Sequence, residues 1–396
     1  MAGRRRVPGA SVVALCLLLV SLVACGGGPA ADGARAQVQS LLDRRADAVL
    51  RRDAAAYART GTRAAFGNLR AVPFADWSYR VTALDRTGDT ATASAELSYR
   101  VEGYDVAPVT TTRSLRLSRD REGRWSVDSD RPAGRSGRQL WDQGAVRAVR
   151  GERSLVLGVG RSGAELRGYA GLADRAVPAV SDAWSPRWSR RVVVLVPESL
   201  ADMAGLLGSP VSSYRGIAAV TTGATGPGAR APADRVIVNP DAFGLLGDPG
   251  RQVVLTHEAT HVATRAHTSA ATPLWLSEGF ADWVGYRGGD RAPDETAPEL
   301  AHAVSRGDVP DGLPTDDDFD FSGDAGRLAR AYEGGWTACL LIAGRWGEER
   351  LGEFYRAVGA HAGREGAVED AMDRVLGITP EEFTARWQRY LRDLLA

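Results

Sequence analysis

Lysine is absent from this 396-residue sequence, and all 49 of its basic residues are arginine. The arginines balance 49 aspartates and glutamates, so the formal net charge is zero at pH 7. Without a net charge there is no overall field to attract nucleic acid, and we predict no nucleic-acid partner. We attribute the missing lysine to the base composition of a GC-rich gene.

The N-terminal region lacks an apolar run long enough to cross a membrane. Arg4, Arg5 and Arg6 precede an apolar run at 12–24, which is shorter than the roughly 20 apolar residues of a spanning helix. A short apolar run behind basic residues is typical of a secretion signal. A retained membrane anchor is therefore the weaker interpretation.

The signal ends in Leu22-Val23-Ala24-Cys25, followed by three glycines. This tetrapeptide resembles the lipobox of bacterial lipoproteins, which implies that 1–25 is a lipoprotein signal peptide and that Cys25 is lipidated. The acyl chains would hold the mature protein on the membrane, at its extracytoplasmic face. Plain secretion without a lipid anchor is the alternative.

Cysteine is also scarce, with three in the whole chain. Cys16 lies in the signal and Cys25 is the predicted lipidation site, so Cys339 has no partner and no disulfide is predicted. Cys339 lies in the apolar segment Trp-Thr-Ala-Cys-Leu-Leu-Ile-Ala, which predicts a buried thiol on a helix. The stability of the protein must then come from ordinary hydrophobic cores.

A small α+β domain is predicted at 35–132, after a glycine-rich linker at 26–34. Apolar residues at helical spacing predict a helix over Ala36–Arg59. Segments rich in β-branched and aromatic residues then predict a meander of four strands, at Trp77–Leu84, Thr90–Val101, Thr110–Ser118 and Arg124–Val127. A helix followed by a meander is similar to the nuclear-transport-factor-2-like and cystatin-like folds. No catalytic motif lies in this domain, which favours a spacer or docking role.

A second domain is predicted at 151–396, behind a linker region at 133–150. Its predicted elements are strands at 154–159, 191–196 and 235–238, a helix at 164–184, and helical segments at 274–286, 324–346, 348–360 and 380–395. The stretch 207–233 is rich in Gly, Pro, Ser and Thr, which predicts a flexible loop near the edge of the cleft. The chain as a whole is predicted to have an α+β fold.

The most specific motif is His-Glu-Ala-Thr-His at 257–261. On a helix, His257 and His261 lie one turn apart and point in the same direction, so both imidazoles can reach one metal ion. Glu258 lies about 100° around the helix, beside the open position of that metal. The motif is typical of a catalytic zinc site, and one Zn²⁺ per chain is the predicted cofactor.

A catalytic zinc site needs a third protein ligand, and two residues compete for this position. Glu278 lies in Trp-Leu-Ser-Glu-Gly-Phe-Ala-Asp, a segment whose apolar spacing predicts a half-buried helix. His267 has the third-histidine spacing of the metzincins, except that Thr264 replaces their glycine. A β-branched residue is poorly suited to the turn that this glycine makes. Glu278 is therefore the favoured ligand, and metzincin-type binding by His267 is the alternative.

His-Glu-x-x-His followed by Trp-Leu-x-Glu-Gly-Phe-Ala resembles the gluzincins, the clan of thermolysin and the zinc aminopeptidases. The resemblance implies a zincin-like metallopeptidase domain with a β-rich upper lobe and a helical lower lobe. It also implies that His257, His261 and Glu278 bind zinc, that Glu258 is the general base and that a zinc-bound water is the nucleophile. The implied activity is zinc-dependent hydrolysis of a peptide or protein substrate.

The same resemblance gives roles to two further residues. Asp282 follows Glu278 by one helical turn and accepts a hydrogen bond from the first histidine ligand, as in the gluzincins. Tyr332, in Ala-Tyr-Glu-Gly-Gly-Trp, resembles the Tyr-x-x-Gly segment of the aminopeptidase branch, where the tyrosine hydroxyl donates to the oxyanion. The Gly-x-Met-Glu-Asn element that binds a substrate's free N-terminus in the aminopeptidases is missing. Aminopeptidase activity thereby loses its main support, an endopeptidase or a peptidase of unassigned type is the safer prediction, and endo- and exo-action both stay open.

A function of a different class is a surface-binding lipoprotein that keeps the zincin fold without catalysis. The presence of the base, the ligands, Asp282 and Tyr332 in one chain disfavours it. Seven aspartates between 308 and 324 indicate either a calcium site or, by default, a solvated loop at the rim of the cleft. The oligomeric state is not indicated by any motif.

Overall fold

The computed structural model describes residues 29–133, 138–222, 233–321 and 323–395. Its fold is mixed α+β, with a sheet region followed by a helical region, which confirms the predicted fold class. The predicted signal peptide and Cys25 lie outside the described residues. Across these ranges, no helix combines the length and the apolar character needed to cross a bilayer.

The first unit consists of three helices and a four-stranded antiparallel sheet. The helices are α1 (Pro29–Leu50), α2 (Ala54–Ala58) and α3 (Ala64–Leu69), and the strands are β1 (Phe74–Thr87), β2 (Thr90–Val101), β3 (Val109–Arg119) and β4 (Trp125–Pro132). The spatial order is β1-β2-β3-β4, which is the predicted meander. Side chains alternate between buried and more exposed positions along β2 and β3, because one face of the sheet covers the core.

The helix predicted over Ala36–Arg59 is interrupted near its end, so this prediction was wrong there. Arg52 has a left-handed backbone with φ of 55°, which ends the regular hydrogen bonding of α1. The Asp53 carboxylate then accepts hydrogen bonds from the N–H groups of Ala55 and Ala56 and begins α2. The helical spacing of apolar residues continues across the break, so this spacing alone does not indicate where α1 ends.

A second sheet of five strands connects the first unit to the helical region. The elements of this segment are α4 (Leu140–Gln143), β5 (Val146–Arg150), β6 (Ser154–Val159), α5 (Gly163–Ala183), β7 (Val192–Val196), α6 (Leu200–Leu207), β8 (Ala219–Thr222) and β9 (Arg235–Val238). The spatial order is β5-β6-β7-β9-β8, with β6, β7 and β9 parallel and the edge strands β5 and β8 antiparallel to their neighbours. Residues 140–150 of the predicted linker thus form α4 and β5, and β8 lies in the predicted loop 207–233.

Both faces of the second sheet are covered by apolar side chains. Leu155, Leu157 and Val193 belong to the core of the first unit. Val156 and Val194 belong to the core of the helical region on the opposite face. Neighbouring residues of a strand point to opposite faces, so the two hydrophobic cores share one sheet.

A buried ion pair joins the first unit to the second sheet. The two carboxylate oxygens of Asp105, between β2 and β3, accept hydrogen bonds of 2.7 and 2.8 Å from the guanidinium of Arg235 on β9. The side chain of Asp105 is 0% exposed. Removing one partner of a buried pair leaves an uncompensated charge, which costs about 3–5 kcal/mol. This pair therefore fixes β9 relative to the first unit.

The helical region follows β9 and contains α7 (Pro240–Leu245), α8 (Asp248–Thr264), α9 (Leu274–Tyr286), α10 (Pro293–Thr296), α11 (Pro298–Ser305), α12 (Ala325–Trp346), α13 (Glu348–Gly359), α14 (Ala367–Ala371) and α15 (Pro380–Leu395). The predicted helical segments match α9, α12, α13 and α15 to within one residue at each end. Cys339 on α12 is 0% exposed, so the predicted burial of its thiol is confirmed.

Two glycines allow α9 and α12 to approach each other closely. A Cβ atom placed on Gly279 would clash with the backbone of Gly335, and one placed on Gly335 would lie 2.5 Å from the carbonyl oxygen of Trp275. A larger residue at either position must push the helices apart, because protein cores are close-packed. Since α9 carries Glu278 and α12 carries Tyr332, this contact sets the distance between the elements that bear these two side chains.

We expect Gly335→Ala to lower the free energy of unfolding by about 1–3 kcal/mol, because the added methyl overpacks the contact between α9 and α12. Gly344→Ala is the matched control, since Gly344 is exposed on the same helix and no atom lies within 4 Å of the position that an added methyl would occupy. Alanine there should be neutral or stabilising by up to about 1 kcal/mol. Urea unfolding of both variants measures the difference, and equal stability would contradict the close helix contact.

Candidate metal centre

Helix α8 carries the His-Glu-x-x-His motif, as its spacing predicts. Thr256, Thr260 and Thr264 lie one turn apart on this helix, and each hydroxyl donates to the carbonyl oxygen four residues earlier. These bonds satisfy three buried polar groups within the helix itself. Thr264 has the helical angles φ −82° and ψ −12°, so the backbone continues where a metzincin would turn at glycine.

The side chains of His257, His261 and Glu278 converge between α8 and α9. The two Nε2 atoms lie 3.0 Å apart, and Glu278 Oε2 lies 3.3 Å from that of His257 and 3.5 Å from that of His261. Ligands about 2.0–2.1 Å from a tetrahedral zinc ion are separated from one another by about 3.3 Å. Both the spacing and the donor set, two imidazole nitrogens and one carboxylate, therefore fit a zinc ion.

His267 does not join this cluster. It lies in a 3-10 turn at Arg265–His267, and its ring packs edge-on against Trp184 with the ring centroids 5.5 Å apart. Within the described part of the chain, His257, His261 and Glu278 are the one group of three side chains whose donor atoms lie close enough to share a metal. The geometry thus favours Glu278 over the metzincin alternative.

Three aspartates of the stretch 308–324 accept hydrogen bonds at helix ends or turns, namely Asp316, Asp318 and Asp324. Asp316 accepts a hydrogen bond from the N–H of Leu274 at the start of α9. Asp324 accepts from the N–H of Arg327 at the start of α12. No three carboxylates converge among the described residues of this stretch. Asp316 and Asp324 thus support the two helices that carry site residues.

Asp282 lies behind the first histidine of the motif. Its Oδ1 atom is 2.7 Å from Nδ1 of His257, so Nδ1–H donates to the carboxylate and Nε2 is directed toward Glu278. Burial lowers the pKa of His257, but Asp282 and Glu278 outweigh it and hold this pKa well above its usual value. Burial raises the pKa of Glu278, but His261 and His257 outweigh it and lower this pKa. The cluster thus favours positive charge, such as a bound metal ion would supply.

Glu258 is buried beside the cluster and is held by a residue that the sequence did not indicate. The hydroxyl of Thr221 lies 2.6 Å from Glu258 Oε2, and Glu258 is 6% exposed. Thr221 belongs to β8, inside the stretch 207–233 that the sequence predicts to be a loop. The β-branched run Val-Thr-Thr at 220–222 is the signal that could have identified this strand.

Tyr332 lies near the start of α12 and lines the same cleft as His257, Glu258 and Glu278. Its ring packs edge-on against Phe319, with the centroids 5.1 Å apart. Burial and then Glu278 raise the pKa of Tyr332 well above 10, so its hydroxyl stays protonated at neutral pH. It is therefore a hydrogen-bond donor at the site.

Two cavities meet at the candidate metal centre. The first has a volume of about 840 Å³, and its lining includes serine and threonine side chains together with the three donors. The second has a volume of about 430 Å³, and its lining includes apolar residues such as Val253 and Trp336. They share His257, Glu258 and Tyr332. A larger cavity of about 1090 Å³ lies between α1 and the turn from β3 to β4, away from these residues. The cleft thus has space for a ligand on both sides of Glu258.

No protein-family model matches the chain, and no curated protein matches it. Among solved structures, native yeast LTA4 hydrolase is similar, with a TM-score of 0.37 and 10% sequence identity. The alignment covers 79% of this chain and 67% of that chain. A likeness of this size leaves the function to be decided by the geometry of the site.

We expect one zinc ion per chain in the protein, and we expect Glu278→Gln to lower this value to near zero after dialysis, because an amide is a poor substitute for the carboxylate ligand. His267→Gln is the control and should retain the full zinc content, since this ring packs on Trp184. Elemental analysis by mass spectrometry measures both. Zinc lost from His267→Gln and kept by Glu278→Gln would instead support metzincin-type binding.

Proposed function

We propose that this protein is a zinc-dependent peptidase with a gluzincin-type site, in which β5–β9 form the upper lobe of a zincin-like domain and the helical region forms the lower lobe. The observation that carries the proposal is the convergence of three zinc-type donors with a buried carboxylate, Glu258, directly beside them. A structural zinc site has four protein ligands, whereas three donors leave one position open for chemistry.

The zinc ion, bound by His257, His261 and Glu278, would acidify a water molecule and polarise the scissile carbonyl. Asp282 contributes by holding His257 in one tautomer, because the 2.7 Å contact at Nδ1 directs the lone pair of Nε2 toward the site. Hydrogen bonding by a carboxylate also makes an imidazole a stronger electron donor. Asp282 is thus a positioning residue in this proposal.

Glu258 is the proposed general base. Its carboxylate lines both cavities that meet at the site, so it faces the space in which a substrate carbonyl would lie. It would accept a proton from the attacking water and return it to the nitrogen of the leaving amine, which leaves the carboxylate in its starting state. A positioned base of this kind contributes about 10²- to 10⁴-fold to the rate.

Tyr332 is the proposed donor to the developing oxyanion. Its hydroxyl is protonated at neutral pH, and its ring is held by Phe319. It comes from α12, whereas Glu258 comes from α8, so donor and base approach the cleft from different helices. A hydrogen-bond donor that is already in place when negative charge develops lowers the barrier without reorganisation.

A peptide or protein is the proposed substrate. The cleft around Glu258 has the size of a ligand site, since its parts measure about 840 and 430 Å³. Because the two parts meet at Glu258, a chain with residues on both sides of the scissile bond would fit, which favours endo-action. The apolar lining near Val253 and Trp336 favours apolar side chains on that flank.

We further propose that the mature protein acts at the outer face of the membrane, attached by acyl chains at Cys25. This part of the proposal is supported by the sequence alone, through the basic residues, the short apolar run and the lipobox-like tetrapeptide of 1–25. More than one acyl chain gives stable membrane attachment.

We expect Glu258→Gln to lower kcat by about 10²- to 10⁴-fold while one zinc per chain is retained, because glutamine keeps the shape of the side chain and loses the proton acceptor. Glu353→Gln is the control, since this carboxylate belongs to a surface pair with Arg350. Peptide-library digestion followed by kinetics on one cleaved peptide measures the effect. Wild-type kcat in Glu258→Gln would refute the mechanism, and a zinc-loaded wild type that cleaves nothing would favour a binding protein.

We expect Tyr332→Phe to lower kcat by about 10²- to 10³-fold with KM changed little, because the hydroxyl acts on charge that develops only in the transition state. Tyr390→Phe is the matched control, since this residue lies on α15 and does not line the cleft. Steady-state kinetics on the same peptide separates kcat from KM. An equal rise in KM with unchanged kcat would assign Tyr332 to ground-state binding.

A further inference from the structure

Thr221 on β8 contacts both the side-chain carboxylate and the backbone carbonyl of Glu258. Its Oγ1 atom lies 2.6 Å from the carboxylate oxygen Oε2 and 3.1 Å from the backbone carbonyl oxygen of the same residue. The shorter contact is that of a hydroxyl donating to a carboxylate, which is a strong, charge-assisted hydrogen bond. The two residues are 37 positions apart in sequence, so the fold of the protein brings them together.

We propose that Thr221 is a positioning residue for Glu258, which holds one carboxylate oxygen so that the other is presented to the substrate. This inference rests on the proposed peptidase function. No side chain in the described part of the chain donates a hydrogen bond to Oε1, whereas Oε2 has Thr221. The two oxygens therefore have different tasks, one for orientation and one for proton transfer.

The pairing of β8 with β9 makes Thr221 suitable for this task. β8 is paired along its length with β9, in the register Val220 with Ile237 and Thr221 with Val236. The carbonyl oxygen of Ala218 extends the pairing by accepting the N–H of Asn239 at 2.9 Å. Side chains alternate along a strand, so this pairing fixes the face to which Thr221 points. The position of the hydroxyl is thus fixed by a paired strand, which defines it more precisely than a loop would.

Glu258 needs such a partner because its side chain has three rotatable bonds. Ordering a glutamate side chain costs conformational entropy. Proton transfer requires the carboxylate within hydrogen-bond reach of the attacking water, and small displacements of a catalytic group lower the rate strongly. A hydrogen bond from a fixed strand reduces the conformations open to the carboxylate before a substrate binds.

The hydroxyl of Thr221 can keep this contact throughout the proposed proton transfer. When Oε1 has accepted the proton from the attacking water, Oε2 is the carbonyl-type oxygen of the carboxyl group and can still accept the hydrogen bond from Thr221. Glu258 therefore keeps its orientation until Oε1 passes the proton to the leaving amine.

The test compares Thr221→Val, which keeps the shape and removes the hydroxyl, with Thr221→Ser, which keeps the hydroxyl. In the zinc-loaded full chain, with a peptide that the wild type cleaves, we expect Thr221→Val to lower kcat about 10- to 100-fold and to change KM less than about twofold. Thr221→Ser should restore kcat to within about threefold of the wild type. Zinc content should stay at one per chain in both.

Thr222→Val is the matched control, because its hydroxyl lies 3.4 Å from the carbonyl oxygen of Arg235 on β9 and has no contact with Glu258 among the described residues. It should keep the wild-type kcat. Unchanged kcat in Thr221→Val would overturn the proposal. So would an equal loss in Thr221→Ser and Thr221→Val, since that would assign the effect to packing.

A second measurement needs no activity. Melting temperatures of the metal-free full chain are compared for Thr221→Val, Glu258→Met and the double variant, in which both partners of the hydrogen bond are removed. We expect the double variant to shift the melting temperature by less than the sum of the single shifts, because each single change breaks the same bond. Additive shifts would overturn the contact. If the wild type cleaved no peptide, the proposed function would fail while this cycle still decided the contact.

Discussion

The close approach of three helices, made possible by glycines at their crossing points, is the constraint on which the site depends. Gly279 and Gly335 bring α9 against α12. Gly285 has the same role between α9 and α8, because a Cβ atom placed on it would lie 3.2 Å from a side-chain carbon of Val253 on α8. Each helix carries a different part of the site. The motif histidines lie on α8, Glu278 and Asp282 on α9, and Tyr332 on α12. Side chains reach only a few ångströms, so the missing methyl groups decide whether these parts can meet.

Concentrated negative charge is the second constraint. Glu258, Glu278 and Asp282 lie around two imidazoles in a largely buried space. Burial lowers the pKa of His257 and raises that of Tyr332, whereas the neighbouring carboxylates raise both pKa values. Negative charges that are brought together in a buried space are favourable only when positive charge lies among them. In the proposed zinc enzyme, metal binding and folding stability would therefore be linked, since the ion would reduce the repulsion between these carboxylates.

The spacing of residues along the sequence was sufficient to predict features that depend only on residues near each other in the chain. The bounds of β6 and α9, the shared direction of His257 and His261, and the burial of Cys339 all follow from periodicity or from neighbouring residues. Strand β8 and its contact with Glu258 could not be predicted in this way, because four residues in a Gly- and Ser-rich stretch become a strand only by pairing with β9. Glycines within α9 and α12 likewise look like weak helix formers until their partner helix is known.

The second sheet, with apolar side chains on both faces, has a consequence for how this protein can vary in evolution. A domain that occurs in different proteins must have a polar surface on the side where it would contact a neighbouring domain. Here the face with Leu155, Leu157 and Val193, and the charge of Arg235, are completed by the first unit. Separating the two would expose this face and leave Arg235 without Asp105, so we expect the first unit and the second sheet to be exchanged between proteins as one body.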